Sequence, residues 1–537
     1  MSVESYCLPI AATGYFSSLV KDYLAEAPAL SPFYAYPASA TGAALALKNR
    51  QAAAKVDRNL LVEVLTEQYA NILPKGDAFY AQIEKLHKEN CFTVVTAHQP
   101  NIFTGPLYVV YKILHTVSLC AALKNNHPEH EFVPVYYMGS EDADLDELGQ
   151  FTVDGFVRKW DTQQTGAVGR MTVDGPFMAL IESLKGQVGV LPHGAELLDL
   201  FAQAYTKGKP LQEAMLQLVH AMFGEWGVVV LVPDHPRLKK AFVPVLEKEL
   251  FEQFSAPLVA KTLAAFPAQY KAQATGRDLN LFYLRDDRRE RIEKTESGFS
   301  VAHSDWHFTA EEMRNELLLF PERFSPNVIL RGVFQETILP NIAFVGGGGE
   351  LAYWLELRAV FAAANTPFPQ LVLRNSFLCM TQSQKKHWDE LGLGVNDLFV
   401  QGPALVEKWM QQQGAVVHSL KTQQSTLHQF YQALAETAER VDPTLKPHVL
   451  ALEAKAMKGL QALEKKSFRA EKKKSATSLA RLERVQSQLF PQKSLQERTE
   501  NLAGFYGRWG RTWLSQVLVA SHAWEQDFSI LVWPDQA

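Results

Sequence analysis

Hydrophobic and polar positions fall into three regimes along this chain. From Met1 to about Asn90 the spacing is mainly helical, broken by a loop near Pro28 to Pro37. At Cys91 the pattern changes. Phe92 to Thr96 is a short apolar and β-branched run, which predicts a buried strand. Thr104, Gly105 and Pro106 then mark a helix start, with proline at or near the first helical position. Leu107, Val110, Tyr111, Leu114, Val117, Ser118 and Ala121 recur at offsets of three and four, one face of an amphipathic helix. His127 and Pro128 end it, and Phe132 to Met138 predicts a second strand. Strand, helix, strand at this spacing is a βαβ unit, with parallel strands and a right-handed crossover.

Further strands are predicted at Gly227 to Val232, Leu281 to Leu284, Phe299 to Ala302, Asn341 to Val345 and Leu371 to Leu373, with a charged turn over Arg285 to Glu293. A helix is expected over Arg237 to Phe254. Thr309 with Glu312 forms a capping box for another that ends near Pro321. Gly346 to Gly349 leads into a helix from Glu350, with Trp354, Leu355 and Phe361 on its buried face. After about Asp397 helical spacing dominates to the end. His448 to Leu489 carries Leu452, Ala456, Leu460 and Leu463, then Leu479, Leu482, Val485 and Leu489, a pattern for a helical hairpin or coiled coil. The expected division is a mainly helical N-terminal part of the core over 1–90, an α/β parallel-sheet core over 91–396 with insertions near 151–226 and 255–325, and a helical domain over 397–537.

Composition narrows the class. With 537 residues the chain can bury a sizeable core, and 47% apolar with 21% charged residues is ordinary for a globular protein. A net charge of −5 offers no global field to recruit nucleic acid. Met1 to Ile10 lacks the basic start and apolar run of a secretory signal, and runs such as Val228 to Val232 are too short to span a bilayer. A cytoplasmic enzyme without nucleic-acid or membrane partners is therefore expected. Cys7, Cys91, Cys120 and Cys379 lack zinc-site spacing, so no structural metal is expected.

Ligands of open parallel sheets bind beyond the carboxyl ends of strands. Polar loops follow several strands here. The first runs from His98 to Pro106. Its helix start offers free N–H groups suited to phosphate, His98 can stabilise charge, and Lys112 can lean back towards the loop. A structural loop with a turn-forming Asn101 accounts for the same residues. The second, Gly139 to Glu147, packs Glu141, Asp142, Asp144, Asp146 and Glu147 after a strand. Glu141, Asp142 and Asp144 could hold Mg²⁺ or an ammonium group, with Glu147 turned to solvent. A solvated helix start explains them equally. The third, Gly346 to Glu350, lacks the lysine and hydroxyl of a P-loop, and Glu350 would repel an anion, so close approach to a neutral or cationic group is expected. Arg374, Asn375 and Ser376 follow another strand, where Arg374 could grip a carboxylate or phosphate. The basic run from Lys465 to Lys474 is read as a solvated face, with phosphate contact as the lesser alternative.

An ordered set of segments resembles the cysteine-adding family of bacillithiol biosynthesis. It comprises Thr96 to Gln99 with Phe103 to Tyr108, Val133 to Val135 running into Ser140 to Asp144, Arg323 to Val328, Gly346 to Trp354, Arg374 with Ser376, Arg469 to Lys472, and Leu489 to Pro491 with Leu495 to Arg498. That family has Gly-Gln-Gln where this chain has Ala97-His98-Gln99, and proline at the positions of Gly348 and Leu373. The resemblance implies a Rossmann-like core of nucleotidyltransferase type and a C-terminal coiled coil supporting a homodimer. It implies a ligase that adds cysteine to glucosaminyl-malate, with ATP or another nucleotide and Mg²⁺ as the expected activator. The expected catalytic residues are His98, Lys112, Glu141, Asp142, Asp144 and Arg374. Gln99, Thr104, Gly105, Pro106, Tyr108, Asn327, Gly346, Gly347, Glu350, Tyr353, Trp354 and Ser376 are expected to bind substrate or nucleotide, and no metal ligand set is assigned. The alternatives are a nucleotidyltransferase or adenylate-forming synthetase on another small substrate, and a non-catalytic coiled-coil scaffold.

Overall fold

The structure, a computed structural model, describes residues 3–535 apart from 54, 275, 286 and 414–419. Its centre is a parallel sheet of β1 (Cys91–His98), β2 (Glu131–Met138), β3 (Val229–Leu231), β4 (Asn341–Gly346) and β5 (Gln370–Leu373). Their spatial order is 5-4-1-2-3, and every pairing is parallel. The chain leaves β1 towards β2 and returns much later to β4 on the other side. This reversal between β1 and β4 is a topological switch point, where the crevice of a doubly wound sheet opens.

Both faces of the sheet are covered. Phe92 and Val94 of β1 pack with Ala43, Ala46 and Leu47, while Cys91, Val95 and Ala97 face the larger core. Alternation of side chains along a strand turns one apolar run into two cores. Helix α1 (Leu107–Asn126) makes the crossover from β1 to β2. It is long and apolar enough to cross a membrane by length and composition, although no uninterrupted apolar run in it is long, and two thirds of that window is buried within the fold.

The long connections build separate layers. Between β3 and β4 lie α2 (Pro236–Glu252) and an antiparallel sheet formed by Leu281–Arg285, Arg288–Thr295, Gly298–Val301, His307–Phe308 and Phe324–Pro326. The charged segment expected as a turn is mostly the Arg288–Thr295 strand. Its charges alternate with Ile292 on the buried side, and residue 286 lies outside the described residues. Helix α3 (Val328–Ile338) then leads into β4, and α4 (Gly348–Leu355) follows it.

The C-terminal part is helical until its last strand, which the spacing did not predict. Lys421–Val441 and Leu445–Lys474 pack as a hairpin, and Ala476–Leu489 returns the chain to the core. Asp527–Trp533 pairs antiparallel with Glu4–Pro9, so a strand also opens the N-terminal part, and parallel with Ser376–Thr381. Ser376–Thr381 and Asp527–Trp533 are short buried runs and Glu4–Pro9 is short and mostly exposed, so no period of two announces them.

Segment 495–501 locks this part to the core. The fully buried Asn501 donates from Nδ2 to the carbonyl oxygens of Phe103 (2.8 Å) and Gly105 (2.6 Å), and Leu107 N–H donates to Glu500 O at 2.8 Å. Phe103, Thr104 and Gly105 all have positive φ, and a Cβ on Gly105 would lie 2.6 Å from that of Asn101. The loop is strained backbone held from outside. Asn501→Ala leaves two buried carbonyls without their donor, at a cost of about 2–4 kcal/mol. An unfolding free energy lower by that amount, obtained from the denaturant midpoint and slope, is the expected outcome.

Candidate active site

A cavity of about 360 Å³ opens at the carboxyl ends of β1 and β4. Its walls carry His98 and Gln99 after β1, Glu141 and Asp142 after β2, Gly347 to Glu350 after β4, and Arg374 after β5. Tyr108 and Lys112 of α1, Asn327 and Arg331 at the start of α3, Tyr353 of α4, Arg289 of the antiparallel sheet and Arg498 complete it. It is the switch-point crevice, roofed by the insertion.

Most of its charges are already paired. Lys112, fully buried, donates to Ala97 O at 2.8 Å and forms an ion pair with Glu350. Burial pulls its ammonium below the usual lysine range and Glu350 opposes that shift. Glu350 also accepts from Gly347 N–H at 2.9 Å. Its charge is thereby shared with Lys112 and the helix start, which weakens the basis for the expected repulsion of anions by the glycine loop. Arg374 donates to Glu497 at 2.8 Å and to Ser376 Oγ at 3.0 Å, with its guanidinium 5.3 Å from the Tyr108 ring centre. Glu141 is paired with the buried Lys239 of α2, which also donates to Phe324 O at 2.8 Å. Burial raises the Glu141 carboxyl and Lys239 lowers it.

His98 accepts or donates a hydrogen bond with Tyr108 Oη at 3.3 Å, their rings edge to face. Burial first, then Lys112, Arg331 and Arg374, hold its imidazole well below the usual histidine range. His98 is therefore a neutral hydrogen-bonding group at neutral pH. Asp142 is half-buried in the wall, accepting from Gln99 Nε2 at 3.3 Å and from Asp144 N–H at 3.1 Å. Behind it, Gly169 N–H donates to Ser140 O at 3.0 Å, and a Cβ there would lie 2.5 Å from that oxygen. This close approach seats the acidic loop against the 168–170 turn.

Several expected residues lie elsewhere. Asp144 is exposed and caps the short Leu145–Leu148 helix through Glu147 N–H, away from the cavity wall. Thr104, Gly105 and Pro106 are packed under segment 495–501. Glu500 O takes the amide expected to meet phosphate, so that helix start is closed. Trp354 is fully buried, stacked on Phe344 at 4.5 Å, and belongs to the core. Ser376 supports Arg374 from beneath. Gly346 ends β4, its carbonyl accepting from Arg374 N–H at 2.8 Å. Among the described residues no three His, Cys, Asp or Glu side chains gather as a metal cage. The basic run near Lys465 to Lys474 is on the exposed hairpin, and none of its residues lines the cavity.

Four charged residues escaped the sequence reading: Arg289, Arg331, Arg498 and Glu497. Arg289 sits on a strand that reads as a charged turn, and Arg331 on an otherwise apolar helix face. Glu497 acts across more than a hundred residues, which spacing cannot reveal.

Comparison with known proteins follows this geometry. Residues 1–375 match the model for the Bacillithiol biosynthesis BshC N-terminal Rossmann-like domain, and residues 377–533 that for the BshC C-terminal coiled-coil domain. The chain belongs to the BshC family of bacillithiol biosynthesis. It is 36% identical over 531 residues to a relative from Christiangramia forsetii, with 98% of each chain covered. It is 36% identical over 533 residues to one from Flavobacterium johnsoniae, covering 98% of this chain and 99% of that one. A Cytophaga hutchinsonii relative is 38% identical over 491 residues, covering 91% and 92%. All three bear the name "Putative cysteine ligase BshC".

One further group shapes this BshC-family site. His115 accepts from Asn375 N–H at 3.1 Å and bonds Ala523 O at 3.0 Å, so its neutral form holds the residue after Arg374. Burial lowers its imidazole to about 4. Between that value and the unfolded value near 6.5, the unfolded chain binds the extra proton. The contribution is whole above pH 6.5 and is lost as pH falls to about 4, roughly 3 kcal/mol in all. Urea unfolding at pH 7 and pH 4 should show His115→Gln closing that much of its gap from the native protein at the acid end.

Proposed function

We propose that this chain joins cysteine to glucosaminyl-malate through an amide bond, as the last step of bacillithiol biosynthesis. The observation that carries the reading is the cavity at the switch point of a BshC-family chain. It sets guanidinium groups and one carboxylate without an ion pair among the described residues, Asp142, around a space large enough for small substrates.

A free carboxylate is a poor electrophile, and a nucleotide with Mg²⁺ supplies the leaving group it lacks. The first N–H groups of α4, at Gly348 and Gly349, line the cavity near Arg374 and suit a phosphate group, since the first turn of a helix has no internal acceptors for them. In the reaction the C–N bond forms between the cysteine carboxyl carbon and the sugar amine nitrogen. One carboxyl oxygen departs with the activating group, and the amine gives up one proton. Asp142 is the group placed to hold the amine and take that proton, because Glu141 is occupied by Lys239 and Asp144 caps a helix. Arg374 and Lys112, although each is paired with a carboxylate, are the cationic hydrogen-bond donors beside the place where negative charge develops. His98, kept neutral, orients without competing for the proton. The exposed Phe430, Leu434, Leu445, Leu452 and Leu463 of the helical hairpin support a homodimer through that arm.

The test is a ligation assay with cysteine, glucosaminyl-malate and ATP, read by mass spectrometry. The native protein should yield bacillithiol, and Asp142→Asn should lower kcat about 10²-fold or more. No thiol product under any nucleotide condition would sink the reading.

A further inference from the structure

The cavity's cations divide into two sets. Lys112 and Arg374, and Lys239 behind the wall, each have a carboxylate partner. Arg289, Arg331 and the exposed Arg498 have none among the described residues, and the first two are the ones fixed in place by neutral side chains. Arg289 donates from Nε to Ser325 Oγ at 3.1 Å and lies 4.0 Å from the Phe282 ring centre. Arg331 donates to Tyr353 Oη at 2.8 Å and to Gln335 Oε1 at 3.3 Å, flanked by the rings of Tyr137 and Phe344. Both are held by neutral oxygens and aromatic faces, which fix a guanidinium's position and leave its charge uncompensated. Both line the cavity.

Their places differ. Arg289 comes from the antiparallel insertion, and the nearest charges acting on it are Glu141 and Asp142. Arg331 comes from α3 and stands by Tyr353, with Glu350 the carboxylate acting on it. A planar fork matches a carboxylate in two parallel hydrogen bonds, and a poorly hydrated guanidinium gains most from such a partner. We propose that Arg289 and Arg331 are specificity-determining anchors, each binding one carboxylate of a substrate that carries two. With the ligase reading, on which this assignment to the acceptor rests, they grip the malate portion and leave the amine facing Asp142. The insertion then selects the acceptor, since it delivers one of the two anchors.

The test separates the anchors from the reaction. L-malate is titrated calorimetrically into the native protein, Arg289→Gln, Arg331→Gln and the double variant, with Arg508→Gln at the surface as control. Malate should bind the native protein and the control alike, each single change should weaken it about tenfold or more, and the double change further. The Lys variants, which keep charge without the fork and guard against misfolding, should fall between. In the ligation assay each Gln variant should raise KM for glucosaminyl-malate about tenfold with kcat within about threefold. No malate binding by the native protein, or equal affinity in either Gln variant, overturns the assignment. Malate affinity lost as expected with no ligation by the native protein upholds the anchors and removes the reaction.

Discussion

The ion pair between Arg374 and Glu497 is where the two halves of this chain become one site. Arg374 leaves the end of β5 with 5% of its side chain exposed, and Glu497, with none, arrives from the far end of the helical part. Such a pair repays its desolvation only when every remaining hydrogen-bonding group is satisfied. Arg374 Nη1 donates to Asn375 O and to Ser376 Oγ, both at 3.0 Å. Glu497 also accepts from Phe377 N–H at 3.2 Å, and its neighbour Gln496 bonds both the N–H and the carbonyl of Cys379. Four residues on, Asn501 clamps the strained loop below β1. The cavity floor is therefore a joint product of the Rossmann-like core and the C-terminal segment, which explains why the family's resemblances run to both ends of the chain.

Pairing also decides what the cavity can do. Three cations near it are neutralised by Glu350, Glu497 and Glu141, all three buried deep enough that loss of a partner would be costly. What remains available is selective: Asp142 on one wall, guanidinium groups without counter-charges around it, and a histidine held neutral by burial first and the surrounding cations second. Buried Glu336 behind β4 and Glu500 beside the loop are both raised to about 7 by burial. At these two carboxyls desolvation outweighs the opposing hydrogen bonds and charges.

The parallel core was legible because its strands are short apolar runs bounded by turn chemistry, and β1, α1 and β2 fall where periodicity puts them. So was the principle that polar loops at their carboxyl ends build the site, which places His98, Gln99, Lys112, Asp142, Glu350 and Arg374 around one cavity. What escaped was of two kinds. Thr104, Gly105 and Pro106 look like an anion-binding helix start until a segment four hundred residues away covers them. Arg289 reads as part of a charged turn, and Arg331 is a lone charge on an apolar helix face, until the insertion folds over the crevice. Both depend on long-range packing, which local spacing does not encode. Asp144 illustrates a third cause: a helix cap and a ligand-binding acid use the same residue type after the same kind of strand.

The central claim is that this cavity makes the amide that completes bacillithiol. Mass spectrometry of small thiols in cells lacking the protein tests it most directly. The account predicts accumulated glucosaminyl-malate and no bacillithiol, restored by the native chain and not by a chain carrying Asp142→Asn. Bacillithiol at its normal level in cells without the protein would contradict it.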